Sequence, residues 1–164
     1  MATIEITRDD LVVIAPQLPA GVVYDGSHLE IADADAENVE ALIDDIANLR
    51  SAALKSSLLV YAADKRWRVE TGGIVVGGMS VATDDRSKLM ITGARVKADK
   101  DAAFTTNWKT PAGFVEIDAA TIIAISNAVL DHVDASFAIE GAVLAGIEAG
   151  TITTQAQIDA ADWP

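Results

Sequence analysis

Apolar residues recur at helical spacing from Val39 to Tyr61, and again from Ile122 to Ile147. Two such stretches commit much of the chain to helices that must bury one face, so the rest has to supply what they bury against. The first is expected to start near Asp35 or Glu37 and run to about Asp64, with acidic residues between 37 and 45 suiting its N-terminus. Within it Leu42, Ile46, Leu49, Ala53, Ser56 and Val60 fall at alternating steps of four and three. That rhythm draws one narrow seam, as a two- or three-chain coiled coil requires. An amphipathic helix lying on its own domain satisfies the same spacing. The supply of core residues is aliphatic, with aromatic side chains only 5% of the chain. Small side chains bury little area each, so contacts between copies would add stability.

The segment before this helix, residues 2–35, is the least helical. Ile4 and Ile6 alternate with polar residues, and Leu11–Ile14 is a β-prone run. Pro16 and Pro19 break the chain, and Asp25-Gly26 marks a turn. Val22–Tyr24 and His28–Ile31 are expected to pair as a hairpin. The segment is either a small β module or an attachment arm that gains order from a partner.

After the helix, Trp67, Val69 and Thr71 alternate with Arg66, Arg68 and Glu70, which reads as a strand. Gly72-Gly73 precedes the strand-like Ile74–Val76. Gly77-Gly78 suits a two-residue hairpin turn leading into Met79–Ala82. Thr83 is the expected N-cap of a short helix opening with Asp84, Asp85 and Arg86 and ending near Lys97–Lys100. Leu89, Met90, Thr92, Gly93 and Val96 are its expected packed face. A second hairpin is expected from Phe104 to Ile117, turning at Thr110-Pro111-Ala112-Gly113. Asp118 caps the next helical stretch, which continues to Gly150 as one helix or as two divided at Gly141 or Gly146. A last short helix begins at Thr153, with Ile158 and Trp163 as docking contacts. The class is α+β, with an N-terminal β-rich arm or small module at 1–35, an amphipathic helix at 36–64 and a compact module at 65–164.

Charge narrows the partners. The formal net charge is -13, and it is unevenly spread. Residues 1–64 carry 3 basic and 12 acidic side chains, residues 65–109 carry 9 and 5, and residues 110–164 carry none and 8. Acidic flanks oppose a phosphate backbone, so nucleic acid is not an expected partner. The basic middle segment suits acidic surfaces of neighbouring copies or partners; solubility alone also accounts for the imbalance. No cysteine is present, so disulfides and thiolate metal sites are excluded. The apolar stretches around Ile122–Leu130 and Ala135–Ala149 are interrupted by polar residues, and no membrane span is expected.

Candidate chemistry is sparse. The glycine pairs lack the Lys and Ser/Thr of a nucleotide loop. Asp84, Asp85 and Ser87 could hold a cation, but the first turn of a helix uses such groups for capping. Ser87 has no tied histidine. His132, beside Asp131 and Asp134, is either a satisfied histidine or, across three chains, a ligand on an axis. Trp67 and Trp108 are core anchors or contact platforms, and Arg66 and Arg68 beside Trp67 could stack a base only if all three faced one way. No catalytic residue, cofactor or metal is assigned.

The ordered set Arg66-Trp67-Arg68-Val69-Glu70-Thr71-Gly72-Gly73-Ile74, Val81-Ala82-Thr83-Asp84-Asp85-Arg86-Ser87, Gly93, Trp108-Lys109-Thr110-Pro111-Ala112-Gly113-Phe114, then Ala128-Val129, His132-Val133 and Phe137 carries a likeness. Over about residues 65–147 the chain resembles a domain of unknown function found in many tailed-phage tail-fibre and tail-associated proteins. In that family the second motif often runs Thr-Asp-Arg-x-Ser, whereas this chain has Thr83-Asp84-Asp85-Arg86-Ser87. The resemblance implies a non-enzymatic protein of the virion tail, made in the host cytoplasm, with fibre, spike or baseplate proteins as partners. A homo-oligomer, a trimer among the options, is expected. A transient assembly factor or chaperone and a carbohydrate-binding receptor module are the alternatives.

Overall fold

The structure is a computed structural model that describes residues 1–110 and 113–164. Mixed helix and sheet, 59% helical and 17% strand, place it in the expected α+β class. Two compact units divide at Ser57/Leu58.

In the first unit, strand β1 (Ala2–Glu5) is followed by helix α1 (Arg8–Ile14). Leu11–Ile14 is therefore helical, not a β-prone run. Thr7 is the reason: its hydroxyl oxygen accepts the Asp10 amide at 3.1 Å, and Asp9 and Asp10 sit where the helix dipole favours acid. The expected hairpin forms as β2 (Val23–Tyr24) and β3 (His28–Ile31). Strand β1 joins the other side of β3, antiparallel, giving the order β1-β3-β2 with Ile4 opposite Leu29. The Asp25 carboxylate turns the hairpin by accepting the amides of Ser27 and His28, which hold its pKa below the usual range.

Helix α2 (Ala36–Asp44) starts where expected, but it stops at Asp45 and α3 (Ile46–Glu70) follows. Asp45 is unfavourable at a helix C-terminus and favourable at the next N-terminus, where its carboxylate accepts the Asn48 side chain at 2.5 Å. The seam is consequently not one continuous stripe. Leu42, Ile46 and Leu49 pack against the buried cluster of Ile6, Ile14, Leu29, Ile31 and Val39. Ala53, Ser56 and Val60 are exposed.

In the second unit α3 runs on to Glu70, so Arg66–Thr71 is helical rather than a strand. Pairs at helical spacing decide it: Asp64 with Arg68 at 2.9 Å, Arg66 with Glu70, and the Thr71 hydroxyl donating to the Trp67 carbonyl at 2.7 Å. A helix already several turns long also extends at small cost per residue. Strands β4 (Ile74–Val76) and β5 (Met79–Val81) form the expected hairpin, with Gly77 and Gly78 at φ +56° and +83°.

Helix α4 (Asp85–Ala98) is capped by Asp84, not Thr83. Thr83 is fully buried, and its hydroxyl oxygen accepts the Gly73 amide at 2.9 Å. The packed face of α4 is Ile91, Ala94 and Ala98; Leu89, Met90, Thr92, Gly93 and Val96 are exposed, which reverses the expected face. Strands β6 (Thr105–Thr110) and β7 (Gly113–Asp118) form the second hairpin. Its expected turn residues Pro111 and Ala112 lie outside the described residues.

Asp118 caps α5 (Ala119–Glu148), one unbroken helix of 30 residues, with its carboxylate accepting the Thr121 amide at 2.8 Å. Gly150 follows at φ +72°. By length and composition α5 could cross a membrane. Here Ile122, Ile125 and Val129 lie in one core with Val81, Ile91 and Ile117, while Val143 and Ile147 lie in another with Leu58, Ala62 and Ile158. Helix α6 (Gln155–Asp159) docks through Ile158, and the Trp163 indole N–H donates to the Ile158 carbonyl at 2.8 Å.

Candidate functional site

One chain of ion pairs joins α3, α4 and α5. Glu70 is buried near the end of α3 and receives Arg66 from its own helix and Lys88 from α4. Arg66 also reaches Glu140 of α5 at 3.2 Å, and Lys88 reaches Asp85 at 3.1 Å. Burial opposes the Glu70 charge, but hydrogen bonds from Lys88 and Arg66 outweigh it and hold the carboxyl below its usual range. Lys88 shows the mirror case: burial disfavours its charge, yet Glu70 and Asp85 raise its pKa. The Arg66 guanidinium lies 4.5 Å from the centroid of the Phe137 ring. Every charge in this cluster has an opposite partner. That is a fastening between helices, with no unengaged acid or base for proton transfer.

Gly72-Gly73 ends α3 beside this cluster. Gly73 has φ +89°, and an added Cβ would sit 3.2 Å from the Val81 carbonyl oxygen. Thr83 ties the turn to the end of β5.

A cleft of about 690 Å³ opens between the β4–β5 hairpin, the start of α4 and β6. Ile74, Val75, Val81 and Met90 give it apolar walls, and Trp108 stands on the β6 side. Arg86 and Lys109 line it and are exposed. No acidic side chain among the described residues pairs with either. Asp84 accepts the Ser87 hydroxyl at 2.5 Å and the Ser87 amide at 3.1 Å in the first turn of α4, and these bonds hold its carboxyl below the ordinary range. Asp84 and Ser87 thus form a cap, and Asp118 caps a different helix.

The other singled-out residues separate. His132 is half-buried, its Nε2 3.1 Å from the Val69 carbonyl oxygen, a bond made by the Nε2–H tautomer. It is a satisfied histidine within one chain. Among the described residues no three acidic or imidazole groups converge as a metal cage. Trp67 is exposed on α3, with Arg66 turned to Glu70 and Phe137 while Arg68 pairs with Asp64, so the three do not form one stacking patch. Trp108 packs partly buried against the core of the second unit. Gly77 and Gly78 are turn residues, and Gly113 begins β7 at φ +122°.

Sequence reasoning missed Glu70, Lys88 and Glu140. The signal for the first was Arg66 and Glu70 four apart, which carries meaning only once the segment is read as a helix.

Large apolar side chains face outward on the same three helices, in pairs seven residues apart. They are Val60 and Trp67 on α3, Leu89 and Val96 on α4, and Leu130 and Phe137 on α5, each between 50% and 71% exposed. Seven residues are two helical turns, so each pair lies on one face.

These features define a mixed α+β protein whose helices are pinned by an internal ion cluster. The chain belongs to the family described as Domain of unknown function (DUF4376), whose model matches residues 53–162, about two thirds of its length. No curated protein and no solved structure matches it.

Proposed function

We propose that the chain is a structural component of a tailed-phage virion, working as a homo-oligomer that connects or attaches a fibre, spike or baseplate element. The observation that carries this reading is the set of outward apolar pairs on α3, α4 and α5. A single exposed apolar residue is ordinary, whereas a seven-residue repeat on three helices suits packing against other helices. The ion cluster supports a load-transmitting role, because it locks the helices that present those pairs. The tail context rests on the likeness over residues 65–147, a stretch inside the family match.

The surface for association keeps only the later part of the seam drawn by sequence spacing. Leu42, Ile46 and Leu49 belong to the core of the first unit, so outward contacts fall to residues such as Val60 and Trp67. Multivalent engagement would turn modest contacts into firm attachment.

Mass spectrometry of purified phage particles, with copy number, tests the proposal. Several copies per particle are expected. Recovery only with immature fibres in cell extract would replace it with the assembly-factor reading, and absence from both would sink it.

A further inference from the structure

We propose that the cleft between the β4–β5 hairpin, α4 and β6 is a docking groove for an extended polypeptide segment of a partner protein, one that alternates apolar and acidic side chains. The inference deepens the connector reading, resting on it only for the partner being a protein.

Charge is the first reason. In a chain of net charge -13, Arg86 and Lys109 are exposed at one cleft with no acidic partner among the described residues. Of the nearby acids, Asp84 caps α4 and Asp85 pairs with Lys88, while Glu116, across the ladder from Asn107, makes no ion pair with Arg86 or Lys109. Two unpaired cations beside a groove favour an anionic occupant and speed its arrival.

The walls select among anions. Ile74, Val75, Val81 and Met90 offer aliphatic and thioether surface, which suits apolar side chains. A phosphate would want free amides at the start of α4, and there the Asp84 carboxylate already takes the Ser87 amide and adds its own negative charge. A sugar would want several aromatic and amide groups, and the cleft has one of each, Trp108 and Asn107.

Strand topology supplies the third reason. Both hairpins that border the groove are two-stranded sheets, so each strand has only one hydrogen-bonded neighbour. Unpaired strand edges are templates for an added strand. An extended segment pairing there would alternate its side chains, placing one set on the apolar wall and the other toward Arg86 and Lys109.

The test is a fluorescence-anisotropy titration of the full-length protein with a labelled peptide of about nine residues alternating Val and Glu. Saturable binding is expected, weakened about tenfold or more in the Arg86→Glu/Lys109→Glu variant and by high salt. A Val–Lys peptide and an oligogalacturonate run in parallel should bind far more weakly. Because charge reversal leaves the apolar wall intact, Met90→Asp serves as a second variant and should also reduce binding. No binding of the acidic peptide, equal binding of the lysine peptide, indifference to both variants, or preference for the oligosaccharide would each overturn the proposal. The particle census tests the tail role and this titration tests the groove, so either can fail alone.

Discussion

The two units fill their interiors in opposite ways. In Met1–Ser57 the buried residues are all aliphatic, Ile6, Ile14, Leu29, Ile31 and Val39, and the charges stay outside. In Leu58–Pro164 the polar residues Glu70, Thr83 and Ser136 are buried, and the exposed Val60, Trp67, Leu89, Val96, Leu130 and Phe137 recur seven apart on helices, whereas the exposed Val12, Val23 and Leu54 of the first unit do not. A sealed aliphatic core needs only a water-facing surface. A unit that fastens its helices with ions and directed hydrogen bonds can leave apolar faces for other proteins. The contact-making proposed for the second unit therefore rests on the helical spacing of its exposed pairs, not on exposure alone.

The largest expected effect tests the sealed core. Leu29→Ala empties a fully buried site at the centre of the three-stranded sheet and should destabilise the first unit by about 2–5 kcal/mol. Denaturant unfolding followed by circular dichroism measures it. A cost below about 1 kcal/mol would break the comparison from the first unit's side.

Next comes the ion cluster. Glu70→Ala leaves Arg66 with Glu140 and Lys88 with the exposed Asp85, and both cations are about a fifth exposed, so the loss should be about 1–3 kcal/mol rather than the full cost of a deeply buried pair. The same residue sets a pH dependence. Its folded pKa is lowered, so its contribution is fully present above the unfolded carboxyl value and fades as pH falls through the folded one. Lys88 has a raised folded pKa, so its contribution holds below the unfolded lysine value and is lost at more alkaline pH. Glu70→Gln should therefore flatten the acid limb of stability measured by thermal melts, while an unchanged acid limb would remove Glu70 from the account.

Thr83→Val keeps the shape but withdraws the acceptor of the Gly73 amide, for an expected loss of about 1–2 kcal/mol. Gly73→Ala should be similar or worse, because φ +89° and the nearby Val81 carbonyl both resist a side chain. The smallest stability effect belongs to the outward pairs. Leu89→Ser with Val96→Ser should change folding stability by less than about 0.5 kcal/mol.

Local signals in the sequence located much of the fold. The Gly77-Gly78 turn, the Val22–Ile31 hairpin, the Asp118 cap and the Gly150 stop each follow from one residue type meeting one backbone need. The errors arose where two local patterns coincide. Arg66–Thr71 alternates like a strand, but its charges also pair at helical spacing, and the long helix upstream settled the matter. Leu11–Ile14 looked β-prone until Thr7 capped it. At Thr83-Asp84 either residue could cap, and the choice depended on Gly73 needing an acceptor ten residues away. The reversed face of α4 has the same origin. Leu89, Met90 and Val96 are apolar enough for a core, and only tertiary packing shows that Ile91, Ala94 and Ala98 take that place. The cluster around Glu70 joins residues up to 74 positions apart, beyond the reach of local spacing.

The contact-making role proposed for the second unit is tested most directly by light scattering of the full chain in solution. A mass that is a multiple of 17.1 kDa is expected, falling toward a single chain when Val60, Leu89 and Leu130 are all changed to Ser while circular dichroism is retained. A wild-type mass of one chain, or a multimer mass that the triple variant leaves unaltered, would contradict it.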